Sequence, residues 1–159
     1  MKSGYDIRPI GAEEIEESGA LDLVWQVFSR FEAPEYTLEG IGEFKAYIEP
    51  DVVKEKISAG TISFWGSFIN DTVVGVIAMR PPCHVSLLFV DADYHRQGIA
   101  RALFDTAIQA CKLAGKPLEV TVNSSPYAVN VYRRLGFAPT DTEQTVNGIR
   151  FTPMKYIAN

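Results

Sequence analysis

The chain has 159 residues, 47% of them hydrophobic, so it can bury the core of one domain without disulfides or a structural metal. It has no run of about 18 apolar residues and no signal peptide at its start, so we expect a soluble, cytoplasmic single domain over residues 1–159. The net charge is −5 and no basic stripe with interleaved aromatics occurs, which disfavours nucleic acid and membranes as partners.

The first third of the chain is predicted to form one strand followed by helices. Tyr5–Ile10 has the pattern of a short strand, and apolar side chains at helical spacing predict a helix over Leu21–Phe31. A second helical stretch covers Leu38–Ser58. It is interrupted at Pro50, because proline lacks the N–H that a helix interior requires.

Three consecutive strands are predicted next, followed by a helix. Thr61–Ile69 and Thr72–Arg80 are rich in β-branched and aromatic residues, and Asn70-Asp71 between them predicts a tight hairpin. Cys83–Val90 is the third strand. An amphipathic helix over Ile99–Ala114 follows it.

The last third of the chain completes an α/β fold of the α+β type. Leu118–Val122 is predicted to be a strand parallel to the third strand, because the helix between them makes a right-handed crossover. A helix over Pro126–Leu135 ends at Gly136, and the tail forms two strands that turn near Asn147-Gly148. We therefore expect a mixed, mostly antiparallel twisted sheet of about six to seven strands with helices on both faces.

The two cysteines are predicted to be unpaired. Cys83 lies in a predicted strand and Cys111 on a predicted helix face, where burial as small hydrophobic side chains is favoured over a bridge. The sequence has no cluster with the spacing of metal ligands, so we expect no metal.

Charge is distributed unevenly along the chain. Residues 1–60 carry 13 acidic and 6 basic side chains, a net −7, whereas residues 61–159 carry 7 acidic and 9 basic ones, a net +2. The second part suits a polyanionic cofactor, and the first would attract a cationic acceptor. The alternative is that the acids only solvate outer helix faces. The acids concerned are Glu13, Glu14, Glu16, Glu17, Glu39 and Glu43.

An anion site is predicted where the third strand passes through a basic, glycine-bearing turn into a helix. The helix would begin near Ile99, which leaves the backbone N–H groups of Arg96–Arg101 without intrahelical partners. A phosphate placed there accepts those hydrogen bonds and lies at the positive end of the helix dipole. Gly98 lets the backbone approach a ligand closely.

The turn and a later motif occur together in a known order. The turn has the sequence His95-Arg96-Gln97-Gly98-Ile99-Ala100, and Val122–Phe137 contains a strand, a loop and a helix that ends in Tyr-x-x-x-Gly-Phe, with Tyr132 at the tyrosine. About 25 residues separate them across one βα crossover. In both motifs and in the order of its elements the chain resembles the GNAT superfamily of acyl-CoA-dependent N-acyltransferases, with His95 where the family usually has Gln or Arg.

The resemblance implies acetyl-CoA as co-substrate. Its pyrophosphate would bind the turn, and its pantetheine arm would lie along the end of the third strand. Many family members have Asn at the place of Ser125, whereas this chain has Asn123 two residues earlier, so either side chain is a candidate contact with pantetheine. The predicted cofactor-binding residues are Leu88, Phe89, Val90, His95, Arg96, Gln97, Gly98, Ile99, Ala100, Arg101, Asn123, Ser125 and Tyr132.

Two side chains are predicted to be catalytic. By resemblance Tyr132 is the general acid for the thiolate, the alternative being that it only packs the last helix on the sheet. His84 is the candidate base, because strand alternation places it with Ser86, Leu88 and Val90, and its alternative is a hydrogen-bonded pocket or core histidine. Cys83 faces the other way and is disfavoured as an acyl nucleophile.

The expected function is that of an N-acetyltransferase. It would transfer the acetyl group to a primary amine of a small molecule or peptide by direct attack in a ternary complex, and the alternative is a non-catalytic acyl-CoA-binding or sensing domain. The protein would be a monomer or a homodimer. The acceptor is expected between the first helices and the hairpins, near Tyr36, Phe44, Tyr47 and Trp65.

Overall fold

The computed structural model describes residues 4–111 and 118–158 of the chain. The helices of these residues are α1 (Ala20–Val27), α2 (Leu38–Tyr47), α3 (Pro50–Ser58), α4 (Ile99–Cys111) and α5 (Val129–Leu135). The strands are β1 (Asp6–Ile10), β2 (Ser63–Ile69), β3 (Thr72–Arg80), β4 (His84–Val90), β5 (Leu118–Ser124), β6 (Ala138–Pro139), β7 (Gln144–Val146) and β8 (Ile149–Ala158). Within the described part, no helix combines the length and apolarity needed to cross a membrane.

The strands form one mixed sheet in the order β1-β2-β3-β4-β5-β8-β6, with β7 paired to β8. All pairs are antiparallel except β4 with β5, whose parallel pairing confirms the predicted crossover. The predicted fold class is therefore confirmed. The sheet has eight strands rather than six or seven, because β6 has only two residues and leaves no alternation in the sequence.

The parallel contact between β4 and β5 is short. It joins His84 with Thr121 and Val85 with Val122, whereas β5 pairs with β8 over seven residues. After Val85 the two strands diverge, so the edge of β4 that faces β5 has no strand partner along the rest of its length. An open wedge is thereby left near the middle of the sheet.

Two apolar clusters cover the two faces of the sheet. Side chains from α1, α2 and α3 form one cluster with residues such as Leu87 and Phe89 of β4. Side chains from α4 and α5 form the other with Val85, Leu88 and Val90. We call these the α1 face and the α4 face.

A β-bulge in β4 explains why its residues change faces. Neighbouring residues of β3, Ala78 and Met79, pair with Leu87 and Val85, so Ser86 is an extra residue on β4. An extra residue inverts the alternation of side chains beyond it. Val85 accordingly lies on the α4 face and Leu87 on the α1 face, although only one residue separates them.

The bulge corrects the predicted placement of His84. His84 alternates with Val85 and so lies on the α1 face, where Ser86 also receives a hydrogen bond from the Tyr47 hydroxyl of α2 at 3.0 Å. Leu88 and Val90 lie on the α4 face. The expectation that all these β4 residues share one face is wrong, because alternation was carried across the extra residue.

Other predicted elements differ in detail. The helix expected over Leu21–Phe31 is α-helical only to Val27 and continues as a π-helical turn over Phe28–Glu32. The helix expected to begin at Pro126 begins at Val129. The predicted helix end at Ala114 lies outside the described residues.

The expectation of two unpaired cysteines is wrong. Cys83 and Cys111 form a disulfide, with their Cα atoms 6.1 Å apart. Both residues belong to the apolar cluster of the α4 face, where the end of α4 packs beside the start of β4. The sequence separation of 28 residues conceals this proximity, because it arises only when α4 folds back over the sheet.

Gly136 ends α5 in a conformation that suits glycine. Its φ is 111°, and the N–H groups of Gly136 and Phe137 donate to the carbonyls of Arg133 and Tyr132. A left-handed residue that closes the last turn in this way is a common helix C-terminus. The turn fixes the end of the helix that carries Tyr132.

Gly136→Ala should therefore destabilise the protein, by about 1–3 kcal/mol, because the new Cβ combines a strained φ with a contact 2.9 Å from the Tyr156 ring. Gly42→Ala is the matched control, since Gly42 lies in α2 with open space around its Cα, and alanine favours helices by up to about 1 kcal/mol. Urea unfolding of both variants measures the difference. Equal stability of the two variants would contradict the assignment of a strained turn at Gly136.

Candidate active site

A cleft of about 620 Å³ lies beside the end of β4. Its walls come from the end of β4, the turn before α4, helix α5 and the π-helical turn, and its volume is in the range of small-molecule sites. The predicted site residues that line it are Leu88, Phe89, Val90, His95, Arg96, Gly98, Ile99, Ala100, Arg101 and Tyr132.

Part of the cleft lining carries backbone N–H groups at the start of a helix. The first hydrogen bond within α4 runs from the N–H of Ala102 to the carbonyl of Gly98 at 3.0 Å, so the N–H groups of Ile99, Ala100 and Arg101 have no partner inside the helix. Gly98 and Arg96 both have positive φ, at 79° and 64°. This turn directs N–H donors and the helix dipole at one volume.

Two side chains of the turn have structural partners. The Nε2–H of His95 donates to the carbonyl of Val90 at 2.7 Å, which ties the turn to the end of β4. The Arg101 guanidinium donates to the carbonyls of Arg134 and Leu135, at the end of α5. These residues hold the turn and α5 in position, and the backbone supplies the anion donors. Gln97 is exposed and does not line the cleft.

Tyr132 lies in the wall of the cleft opposite β4. Its side chain is buried and packs edge-on against Phe137, with ring centroids 5.3 Å apart. Burial raises the pKa of Tyr132, and the nearby charge of Glu32 raises it further. The phenol therefore keeps its proton at neutral pH and can act as a proton donor.

Glu32 is a site residue that the sequence analysis missed. It lies on the π-helical turn, lines the cleft and is only 8% exposed. Burial raises the pKa of its carboxyl to about 7, and a hydrogen bond with the Ser125 hydroxyl partly offsets this increase. An acid with such a pKa takes up and releases protons near neutral pH.

A signal for Glu32 was present in the sequence. The apolar stripe of the first helix contains Leu21, Val24 and Phe28, and position 32 is the next on that face. Charged side chains are rarely buried, so a carboxylate in line with buried apolar side chains indicates a candidate functional residue. It was passed over because the predicted helix ended at Phe31.

The two candidate pantetheine contacts lie in different environments. Ser125 is buried, and its hydroxyl accepts a hydrogen bond from the N–H of Ala128 at 3.2 Å while it contacts Glu32. Asn123 is exposed on β5, opposite Pro153 of β8. Neither side chain lines the cleft as it stands, and a contact with pantetheine stays a prediction for both.

His84 lies apart from the cleft-lining residues. Its Nδ1 is 2.8 Å from the hydroxyl oxygen of Thr121. Burial, and to a lesser extent the charge of Arg80, lowers the pKa of His84 to about 4. The imidazole is therefore neutral at physiological pH, and the structure does not bring it together with Tyr132 in the cleft. Its role as base stays a prediction.

The aromatic residues expected at the acceptor do not form one group. Phe44 stacks on Phe28 at 3.9 Å between centroids, and Tyr36 lies 5.4 Å from Phe28, on the α1 face. Trp65 packs on the α4 face. The expectation that Trp65 joins the others is wrong, because β2 directs its side chain to the opposite side of the sheet.

Comparison with protein families identifies the domain. Residues 32–158 match the family model described as acetyltransferase (GNAT) domain. An uncharacterized N-acetyltransferase of Escherichia coli, YafP, is 34% identical over 92 residues, which cover 58% of this chain and 55% of YafP. Human N-acetyltransferase 8 is 30% identical over 102 residues, 57% of this chain and 44% of that protein. The chain thus spans about half the length of these curated relatives.

Solved structures share the fold at low sequence identity. A GCN5-related N-acetyltransferase of Rhodopseudomonas palustris superposes with a TM-score of 0.80 at 19% identity, over 98% of this chain and 97% of that one. The PaiA N-acetyltransferase of Thermoplasma acidophilum, solved in complex with coenzyme A, has a TM-score of 0.79 at 18% identity, over 98% and 99% of the two chains.

The burial of Glu32 predicts how stability changes with pH. The Glu32 carboxyl has a pKa of about 7 in the folded protein and near 4.5 in the unfolded chain. Below about pH 4.5 it is protonated in both states, so its burial does not lower the free energy of unfolding. As the pH rises from about 4.5 to about 7, the free energy of unfolding falls, and the full loss is reached above pH 7. Glu32→Gln removes it, and should gain about 3 kcal/mol relative to the parent between pH 4 and pH 8.

Denaturant unfolding at several pH values measures this gain. The matched control is Glu39→Gln, which removes the same charge from an exposed position in the first turn of α2. The control variant should follow the pH profile of the parent. Parallel profiles for the Glu32 and Glu39 variants would refute a buried, titrating carboxyl at Glu32.

Proposed function

This chain belongs to the GNAT acetyltransferase family, and we propose that it transfers an acetyl group from acetyl-CoA to a primary amine of a small molecule or peptide. The observation that carries the proposal is one cleft that is lined both by the start of α4, whose N–H groups have no helical partner, and by the buried Tyr132. Pyrophosphate and thioester lie at opposite ends of the pantetheine arm, so a donor of this shape matches both features.

The donor would bind mainly through the backbone. Its pyrophosphate accepts hydrogen bonds from the N–H groups at the start of α4, and Arg96 at the rim offsets negative charge. The pantetheine amides pair with the open edge of β4 beyond Val85, as an added strand would. The PaiA structure, which shares the fold, was solved in complex with coenzyme A, and this supports coenzyme A as the ligand.

The transfer would proceed by direct attack. The amine nitrogen bonds to the thioester carbon, the carbonyl oxygen becomes an oxyanion, and a main-chain N–H on the β4 edge stabilises it. The C–S bond then breaks and the thiolate takes the proton of Tyr132. The high pKa of Tyr132 suits this role, because the phenol is protonated when the leaving group needs the proton.

Gly98→Ala should weaken coenzyme A binding, because a Cβ would enter the volume where the pyrophosphate meets the backbone. Gly60→Ala is the matched control, since Gly60 has nearly the same φ, 76° against 79°, and open space around its Cα, but lies after α3 away from the cleft. Both variants should lose similar stability. Titration calorimetry with coenzyme A should show at least about a tenfold loss of affinity for Gly98→Ala alone, equivalent to about 1.4 kcal/mol.

Tyr132→Phe should lower kcat by about 10²- to 10⁴-fold while coenzyme A affinity stays within about twofold, because the phenol acts on the leaving thiolate. Thiol release from acetyl-CoA is measured with a panel of alkylamines, amino sugars, polyamines and lysine peptides. Unchanged kcat in the variant would contradict the role of Tyr132. Tight binding without turnover of any amine by the parent protein would support a sensing domain instead.

A further inference from the structure

We propose that Glu32 is the general base that takes the proton from the acceptor amine, and that it works with Tyr132 across the cleft. The proposal rests on the transfer proposed above and assigns its base to a residue outside the motifs of the sequence. It also implies that the acceptor arrives as a primary ammonium ion.

Position is set by the π-helical turn that follows α1. This turn interrupts the α-helical repeat at Phe28–Glu32, and its last residue, Glu32, lines the same cleft as Tyr132. Interruptions of this kind often occur at functional sites. The Ser125 hydroxyl, which lies outside the cleft lining, accepts from the Ala128 N–H, and its interaction with the Glu32 carboxyl lowers the Glu32 pKa and so partly offsets the effect of burial. The carboxylate is thus held where it faces the reacting groups.

The charge environment of Glu32 also supports a role as base. Among residues 4–111 and 118–158, the ion pairs involve other acids, and Glu32 has no lysine, arginine or histidine partner within salt-bridge distance. A buried carboxylate without a cation lowers the free energy of unfolding, and an amide of the same shape would pack equally well. A bound ammonium ion supplies the missing positive charge. The stacked rings of Phe31 and Tyr127, 5.0 Å apart, lie beside it and suit the organic part of an amine.

The proton balance joins Glu32 and Tyr132. The Glu32 carboxylate takes one proton from the ammonium, which frees the nitrogen lone pair for attack on the thioester carbon. After the C–N bond forms, the nitrogen loses its second proton to water, the C–S bond breaks, and the thiolate receives the Tyr132 proton. Glu32 then returns its proton to the Tyr132 phenolate. The net products are an amide, a thiol and one proton in solution, and both side chains regain their starting states.

Other acids near the cleft have structural partners. Glu35 pairs with Arg150 at 2.8 Å on the surface, and the Asp91 carboxylate accepts from the Asp93 N–H at 2.9 Å, which shapes the turn after β4. His84 lies outside the cleft lining and contacts Thr121. Glu32 is therefore the acid whose position and unpaired charge leave it free for chemistry.

The pH dependence follows from the groups around Glu32. The carboxylate must be ionised to accept a proton, so kcat/KM should rise with pH through about 7, where burial places the pKa of Glu32. The surrounding phenols have pKa values raised by burial and then by the Glu32 charge, so they stay protonated in this range. The titratable and charged groups around Glu32 come from several elements: Tyr36, Tyr127, Tyr132, His95, Arg30 and Arg150, together with Tyr94, Arg96, Arg101 and Arg134 of the cleft lining.

The experiment compares Glu32→Gln with Glu39→Gln, using phenethylamine and its β,β-difluoro analogue as acceptors. Phenethylamine is an ammonium ion near neutral pH, whereas the fluorinated amine is largely uncharged and needs no base before attack. Glu32→Gln should lower kcat about 10²- to 10⁴-fold with phenethylamine and by less than about tenfold with the analogue, and should lose the pH limb near 7. Glu39→Gln should behave as the parent in every measurement.

The outcomes separate this proposal from the transfer itself. If the parent turns over neither these amines nor any amine of the panel, the transfer and the base role both fall. If the parent is active and Glu32→Gln keeps its pH limb, or loses equal activity with both acceptors, the base role alone is overturned. If His84→Gln, rather than Glu32→Gln, loses the rise of kcat/KM with pH near 7, the base is His84. Coenzyme A affinity and urea unfolding, measured for each variant, show that the donor site and the fold are intact.

Discussion

The parallel contact between β4 and β5 ends after two residue pairs, and the geometry of the site depends on this divergence. Each strand is held on its other side, β4 by β3 and β5 by β8, so the sheet cannot close the gap. Among the described residues, main-chain groups of β4 beyond Val85 have no partner in β5, and the cleft lies beside this end of β4. The turn before α4 and the helix α5 then face each other across it.

The same divergence explains where charge accumulates. The N–H groups at the start of α4 and the buried carboxyl of Glu32 line the same cleft. Glu32 and Tyr132 are both buried, and burial raises the pKa of each. An anionic donor and a cationic acceptor would each meet the sign of charge that attracts it.

Local signals predicted much of this fold. Asn70-Asp71 marked the β2–β3 hairpin, Pro50 marked the break between α2 and α3, and the basic glycine turn marked the start of α4. These features depend on backbone preferences of a few neighbouring residues, so they can be recognised from the local sequence alone. Tyr132 was predicted from a motif that also contains Gly136, the residue at which its helix ends.

Contacts between distant segments could not be predicted in this way. The disulfide between Cys83 and Cys111 requires α4 to fold back over the sheet, and the face of His84 depends on one extra residue, Ser86, whose presence only strand pairing reveals. Glu32 is similar, because its importance comes from α5 packing against a turn about a hundred residues away.

The sequence by itself determined the order of the elements, the glycine-bearing turn before α4 and the helix that carries Tyr132, since each is set by hydrogen bonds and dihedral preferences within a short stretch of chain. The tertiary structure decided which side chains share the cleft. That choice depends on burial and on the partners that each group finds, and these are properties of the packed sheet and helices rather than of any segment alone.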